Sequence, residues 1–259
     1  MTSTTDALKT GPLAGRTALV TGTTSGFGAA IATRLAHAGA YVVATGRSQD
    51  KLTAIASELG ERGEPAVLDV RDTDAFEALV ERTAGRGDFS ILVNNAGLRF
   101  YDPTLDGPLD RDRGVIETIF VAALASSRAA VRAFRKYGTG GNIVNISSTS
   151  SRMPPFGVYG AMKSAINVLN ADLRSELENE PIRISGILPG AANTGLAREL
   201  SPEFAAAAGQ IMEANPGISF SLDPDDIARA VEFIVTQPLT VSIDELVISP
   251  QANIMSRMS

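Results

Sequence analysis

Short apolar runs rich in β-branched residues recur along this chain, each bounded by glycine, proline or small polar residues. Thr17 to Thr21, Tyr41 to Thr45, Ala66 to Leu68, Ile91 to Val93, Asn142 to Ile146, Ile182 to Leu188 and Glu245 to Ile248 have strand length. Their lack of polar alternation predicts strands buried on both faces. Between them lie alanine-rich stretches with apolar residues at helical spacing, among them Ala29 to Ala38, Val115 to Phe134 and Val158 to Leu177. Repeated strand and helix units predict an α/β, doubly wound (Rossmann) parallel sheet of seven strands with helices on both faces. With no internal repeat and no Pro/Ser-rich linker, residues 13 to 259 are expected to form a single domain behind a flexible stretch at residues 1 to 12. The segment from Asp102 to Asp112, dense in turn residues, is expected to be a surface loop. Residues 194 to 216 have helical composition broken by Gly209 and Pro216 and are expected to form a substrate lid over the carboxyl ends of the strands.

Composition removes whole classes of function. At 44% apolar and 20% charged residues, the 259-residue chain is too apolar to be disordered. The 23 basic against 29 acidic residues, a net charge of −6, argue against a nucleic-acid surface, which needs clustered Lys and Arg. The absence of cysteine excludes disulfides, thiolate metal sites and thiol nucleophiles. The single histidine, His37, falls before Gly39 at a helix end, so imidazole-rich metal or triad chemistry has no source and no metal site is expected. No apolar run approaches the ~20 residues of a membrane span, and the first residues are polar. The expectation is a cytoplasmic protein acting on a small molecule.

Chemistry begins at the end of the first strand, which runs into Thr21-Gly22-Thr23-Thr24-Ser25-Gly26-Phe27-Gly28. Glycine is required where backbone must approach a phosphate, and the helix that follows offers free N–H groups and a positive dipole end. Tight strand-to-helix turns also use glycine, but a strand before and a helix after favour a dinucleotide loop. The second strand ends in Arg47-Ser48 and lacks the carboxylate that would hold ribose hydroxyls. An arginine there suits a 2′-phosphate and hence NADP(H) over NAD(H), the alternative being a solvated residue at a helix start.

Tyr159 and Lys163 stand four residues apart in a helical stretch, which places phenol and ammonium on one face. A phenol titrates near ~10, and a neighbouring cation favours its phenolate, so such a tyrosine serves as acid toward a carbonyl oxygen and as base toward an alcohol. The pair follows a strand ending Asn145-Ile146-Ser147-Ser148, in a chain that opens with a phosphate loop.

Together these residues resemble the short-chain dehydrogenase/reductase family over roughly Leu13 to Pro250. Gly22, Gly26 and Gly28 match its glycine motif, and Asn94-Asn95-Ala96-Gly97 its Asn-Asn-Ala-Gly turn. Ser148, Tyr159 and Lys163 match its catalytic residues. Asp69-Val70 resembles the pair beside the adenine, and Pro189-Gly190 with Thr194 the segment that meets the nicotinamide carboxamide. The resemblance implies cofactor contacts from Thr24, Ser25, Phe27, Arg47, Ser48, Asn95, Ala96 and Gly97 as well. The Thr45-Gly46-Arg47 strand end and the final Ile243 to Pro250 look most like the NADP-dependent 3-hydroxy acid and serine dehydrogenase group. It also implies a homodimer or homotetramer.

Two departures from the family pattern stand out. Aligning Val115-Ile116-Glu117-Thr118 on its fourth helix puts Ile119 where an Asn normally completes a Ser-Tyr-Lys-Asn tetrad. Isoleucine neither donates nor accepts, so the proton leaves by another route, through Ser126, Ser127 or solvent, or turnover is slow. Its neighbours Val121, Ala122 and Ala123 offer no partners to an amide restored there. The second departure is that Ser148 precedes Tyr159 by eleven residues, closer than usual. Anchoring on the strand selects Ser148 as the catalytic hydroxyl, whereas counting back from Tyr159 points toward Ser147. The expected activity is hydride transfer between NADP(H) and a carbonyl or secondary alcohol. The alternative is a catalytically impaired dinucleotide-binding protein with a sensing or scaffold role. Pocket positions expected after the fourth and fifth strands include Leu98, Arg99, Tyr101, Pro155 and Phe156. Arg99 there either meets an acidic substrate group or is simply exposed.

Overall fold

Seven parallel strands lie in the order β3-β2-β1-β4-β5-β6-β7 in the computed structural model, which describes residues 10–100, 104–153, 156–192, 194, 209–238 and 240–252. They are β1 (Thr17–Val20), β2 (Tyr41–Gly46), β3 (Gly63–Val67), β4 (Phe89–Asn94), β5 (Gly141–Ile146), β6 (Ile182–Pro189) and β7 (Glu245–Ile248). The helices are α1 (Gly26–His37), α2 (Gln49–Leu59), α3 (Thr73–Ala84), α4 (Leu109–Ile116), α5 (Ala122–Tyr137), α6 (Gly157–Glu176) and α7 (Pro224–Thr236). The doubly wound architecture expected from the apolar pattern is the one observed.

Strand side chains alternate between two cores, as a pleated sheet demands. Leu19, Leu92, Ile143 and Ile184 point to the face covered by α3, α5 and α6, where Phe76, Phe134, Ile166 and Leu173 meet them. Ala18, Val20, Ile91, Val93 and Val144 point to the other face, against Ile31 and Leu35 of α1 and Val231 and Ile234 of α7. Arg34 of α1 clamps α7 through Asp225 at 2.8 Å and Glu232 at 3.0 Å.

Three expectations need correction. β3 and β7 are edge strands, not buried ones: Val67 is 57% and Val247 49% exposed, and Pro65 sits in β3, where an edge tolerates a missing N–H. The expected Asp102 to Asp112 loop is helical from Leu109 on, because Pro108 precedes a first turn bearing Asp110 and Asp112, good start signals without an apolar stripe. Thirdly, Leu109 to Tyr137 is one long helix, interrupted by a π-helical segment at Glu117–Val121. It is long and apolar enough to cross a membrane by length and composition, unlike any run expected from the sequence, but Ala122, Ala129, Ala130 and Phe134 are buried in the core. Residues 1–9 of the expected flexible stretch and residues 195–208 of the expected lid lie outside the described residues, as do Tyr101 and Pro155.

Candidate active site

Strand order reverses between β1 and β4, and the crevice at their carboxyl ends is built by two loops locked together. The Thr21 hydroxyl accepts the backbone N–H groups of Asn95 and Ala96, each at 3.0 Å. In return the Asn95 amide donates to the carbonyls of Thr21 at 2.9 Å and Gly22 at 3.2 Å. Gly22 and Gly26 adopt φ of +70° and +56°, conformations that side chains resist. At Gly28 a Cβ would stand 2.1 Å from the Gly22 carbonyl oxygen, so only glycine lets α1 start this close to β1. Among the described residues no side chain caps α1 at Ser25, and the first turn holds no acid, which leaves its N–H groups for an anion. Thr194 lies beside this turn, its Cβ 3.2 Å from where a Cβ at Gly26 would be. Pro189 ends β6, and the Gly190 N–H donates to Ile248 at 2.7 Å. Phe27 packs against the α1 side of the core. Thr24 lies under Gly46, where a Cβ would meet its methyl at 2.5 Å.

The far end of the crevice is basic. Arg47 is exposed, while Ser48 caps α2, accepting the Lys51 N–H at 3.5 Å. Asp69 is gripped by Arg71 through side-chain contacts of 2.6–3.1 Å and a backbone N–H at 3.1 Å. Those bonds, with the more distant Arg47 charge, hold the Asp69 carboxyl below its ordinary range. Arg71 escaped the sequence reading because nothing in its spacing announces that it folds back two residues onto Asp69. Val70 is buried in the wall of a small cavity described below.

At the other end stand the groups able to move protons. α6 carries Tyr159 and Lys163 on its buried side, 8% and 4% exposed, beside Ile166 and Leu173. Lys163 Nζ lies 5.6 Å from the Tyr159 ring centre and donates to the Ile146 carbonyl at 2.6 Å. Burial lowers the Lys163 ammonium to about 8. A Cβ at Gly97 would stand 4.0 Å from this nitrogen, so the Asn-Asn-Ala-Gly turn closes over the lysine. The two serines after β5 part company. Ser147 is buried and donates to the Lys163 carbonyl at 3.0 Å, a bond that ties β5 to α6. Ser148 is half-buried; its hydroxyl caps the 3₁₀ turn Thr149–Arg152, with the Ser150 hydroxyl at 2.7 Å and N–H at 3.1 Å.

Ile119 lies in the π-helical segment, 3% exposed, and lines a cavity with Asn94, Asn145, Thr118 and Lys163 that has room for about one water. Polar groups thus face Ile119 from β4, β5 and α6, although its sequence neighbours provide none. Ser126 and Ser127 do not reach Lys163. Ser126 donates to Asn94 at 2.8 Å, Ser127 accepts from it at 3.4 Å, and Asn94 continues through Asn145 at 2.8 Å to Asn170 at 2.5 Å. This buried amide chain crosses from α5 through β4 and β5 to α6 and holds the floor of the site; Asn170 had no motif to mark it. A phenol beside an ammonium, next to an anion cradle, is an arrangement for proton transfer coupled to a bound dinucleotide.

Comparisons with known proteins find related sequences and the same fold. The profile of the family described as short chain dehydrogenase matches residues 16–204. Farnesol dehydrogenase of Aedes aegypti is 32% identical over 251 residues, covering 92% of this chain and 96% of that protein. Among solved structures, the closed form of serine dehydrogenase complexed with NADP+ superimposes with a TM-score of 0.79 at 32% identity, over 90% of this chain and 94% of that one. An alcohol dehydrogenase of the archaeon Thermococcus sibiricus, complexed with 5-hydroxy-NADP, gives 0.76 at 27% identity over 91% and 96% of the two chains.

Proposed function

This chain belongs to the short-chain dehydrogenase family, and from that premise we propose that it is an NADP(H)-dependent oxidoreductase acting on a carbonyl or secondary alcohol of a small molecule. The observation that carries the reading is the placement of Tyr159 and Lys163 on one face of α6, turned toward the crevice whose glycine cradle lies between β1 and α1. The cradle fits a dinucleotide. Side-chain-free backbone at Gly22, Gly26 and Gly28, and uncapped N–H groups at the start of α1, suit a pyrophosphate. Asn95, Ala96, Gly97, Pro189, Gly190 and Thr194 border the nicotinamide end. Arg47, beside the Asp69–Arg71 pair, supports a 2′-phosphate, in keeping with two similar structures that hold NADP+ or 5-hydroxy-NADP.

When bound, the nicotinamide supplies or accepts the hydride. In the reducing direction Tyr159 Oη gives its proton to the developing alkoxide, and in the oxidising direction it takes the alcohol proton. Ser148, whose oxygen accepts from the Ser150 hydroxyl and N–H, keeps its own proton to donate to the same oxygen and stabilises the charge that gathers there. Lys163, with donors left beyond the one given to Ile146, favours the phenolate and reaches toward the ribose. Ser147 holds Lys163 in place through its backbone. No observation among the described residues favours a scaffold reading over this one. We further propose a cytoplasmic homodimer or homotetramer, a reading supported by Val121 and Val168, 40% and 62% exposed on the long helix and α6.

The test is initial-rate measurement with NADPH and NADH against a panel of ketones, aldehydes and oxo acids, and with NADP+ against the corresponding alcohols. Turnover that requires Tyr159 and prefers NADP(H) supports the reading. Cofactor binding without turnover on the whole panel would sink it.

A further inference from the structure

Arg99 follows the Asn94 to Gly97 turn and belongs neither to the dinucleotide cradle nor to the Ser148, Tyr159 and Lys163 set. Its guanidinium carbon stands 5.3 Å from the centre of the Tyr159 ring and 5.0 Å from that of Phe156, so this side chain joins the loop after β4 to the start of α6. Tyr159 therefore has two cations within reach of its ring, Arg99 from the β4 loop and Lys163 from its own helix.

Resting on the reading of Tyr159 as the proton-transferring group, we propose that Arg99 is a positioning residue of charge, which sets the ionisation of Tyr159 and keeps its phenolate accessible near neutral pH. A guanidinium keeps its charge at every pH at which the fold survives. Lys163 keeps its charge only below about 8, where burial brings it, so above that pH its help to a phenolate fades. Arg99 supplies the charge that persists. With its guanidinium carbon 5.3 Å from the ring centre, such a charge at an effective dielectric of about 20 to 40 moves a phenol's titration down by about one pH unit or more.

Most of the other charges on elements packed against α6 are directed elsewhere. On α4, Asp110 pairs with Arg113, Arg111 lies over the Phe100 ring, and Asp112 is the other carboxylate of that helix. Glu117 acts on Arg71, Arg152 pairs with Glu245, and Arg183 binds the carbonyls of Gln237, Pro238 and Val241.

The experiment is a near-ultraviolet phenolate titration of the full chain. It has four tyrosines, so the difference between wild type and Tyr159→Phe isolates Tyr159. The same difference is taken in the Arg99→Met, Arg99→Gln and Arg99→Lys backgrounds, with circular dichroism and NADPH binding confirming that each variant is folded. The two neutral variants are expected to raise the Tyr159 titration by about one pH unit or more, and Arg99→Lys to restore most of it. The acid limb of kcat for oxidation of a neutral alcohol, where Tyr159 must be ionised to accept the proton, moves by the same amount. An unmoved Tyr159 titration in both folded neutral variants overturns the proposal, and a loss confined to KM for anionic substrates replaces it with an anion-binding role. A shifted titration without turnover at any pH upholds the Arg99–Tyr159 coupling and counts against the oxidoreductase reading alone.

Discussion

Lys163 stands 5.6 Å from the ring of Tyr159 while giving a hydrogen bond to the Ile146 carbonyl, so the cation that favours the phenolate is anchored to the end of β5. Proton transfer and cofactor placement then depend on different parts of one helix face. Tyr159→Phe is expected to lower kcat by ~10²-fold or more with NADPH affinity nearly unchanged, since it removes one hydroxyl and keeps the ring. Lys163→Ala should impair both quantities. Steady-state rates and a fluorescence titration of NADPH read them separately.

The buried ammonium gives a second prediction, about stability. Lys163 titrates near 8 in the folded chain and near a lysine's ordinary 10.5 when unfolded, so between those pH values the unfolded state binds more protons and stability contributed at this site rises with pH. Below about 8 the desolvated charge costs about 3 kcal/mol, partly offset by the bond to Ile146. Lys163→Met should therefore be more stable than wild type at pH 7, and the gap should close by about pH 10.5. Urea unfolding of the two proteins across this range checks the sign. A constant gap would show that Lys163 keeps its ordinary titration.

Cofactor choice is assigned to Arg47. Arg47→Ala should weaken NADPH by about tenfold or more, as expected for a charge-assisted hydrogen bond of about 1.5–3 kcal/mol, while NADH binding changes little. Equal losses for both, measured by calorimetry, would mean that Arg47 never meets the 2′-phosphate.

Ile119→Asn addresses the position that least resembles the family. The restored amide would face a cavity shared with Lys163, whose ammonium has donors beyond the one given to Ile146. Stability is expected to stay within about 1 kcal/mol of wild type, less than the ~1–3 kcal/mol of an amide buried without a partner. A large fall in urea midpoint would show that the cavity cannot satisfy it. Comparing kcat in the same samples tells whether Ile119 limits proton transfer.

Much of this protein was written in short-range pattern. The glycine turn, the Asn-Asn-Ala-Gly turn, the Tyr159 and Lys163 spacing and the seven strand cores each depend on residues within a few positions of one another, and a period or a spacing is enough to express them. Relations across the chain left no such trace. Ser147 and Ser148 are neighbours in sequence, and their division into a tie to Lys163 and a cap facing the site depends on which way β5 leaves the sheet. The polar partners facing Ile119 come from β4, β5 and α6, so its own neighbours gave the wrong impression of its surroundings. Arg99 reaches Tyr159 only because β4 ends and α6 begins at the same edge of the fold, and Asn170 joins Asn145 because α6 crosses β5. β7 has an apolar run like those of the central strands, but a run records only that a strand is apolar. Whether it has neighbours on both sides is decided by the order in which the sheet assembles, and that order is a property of the whole chain.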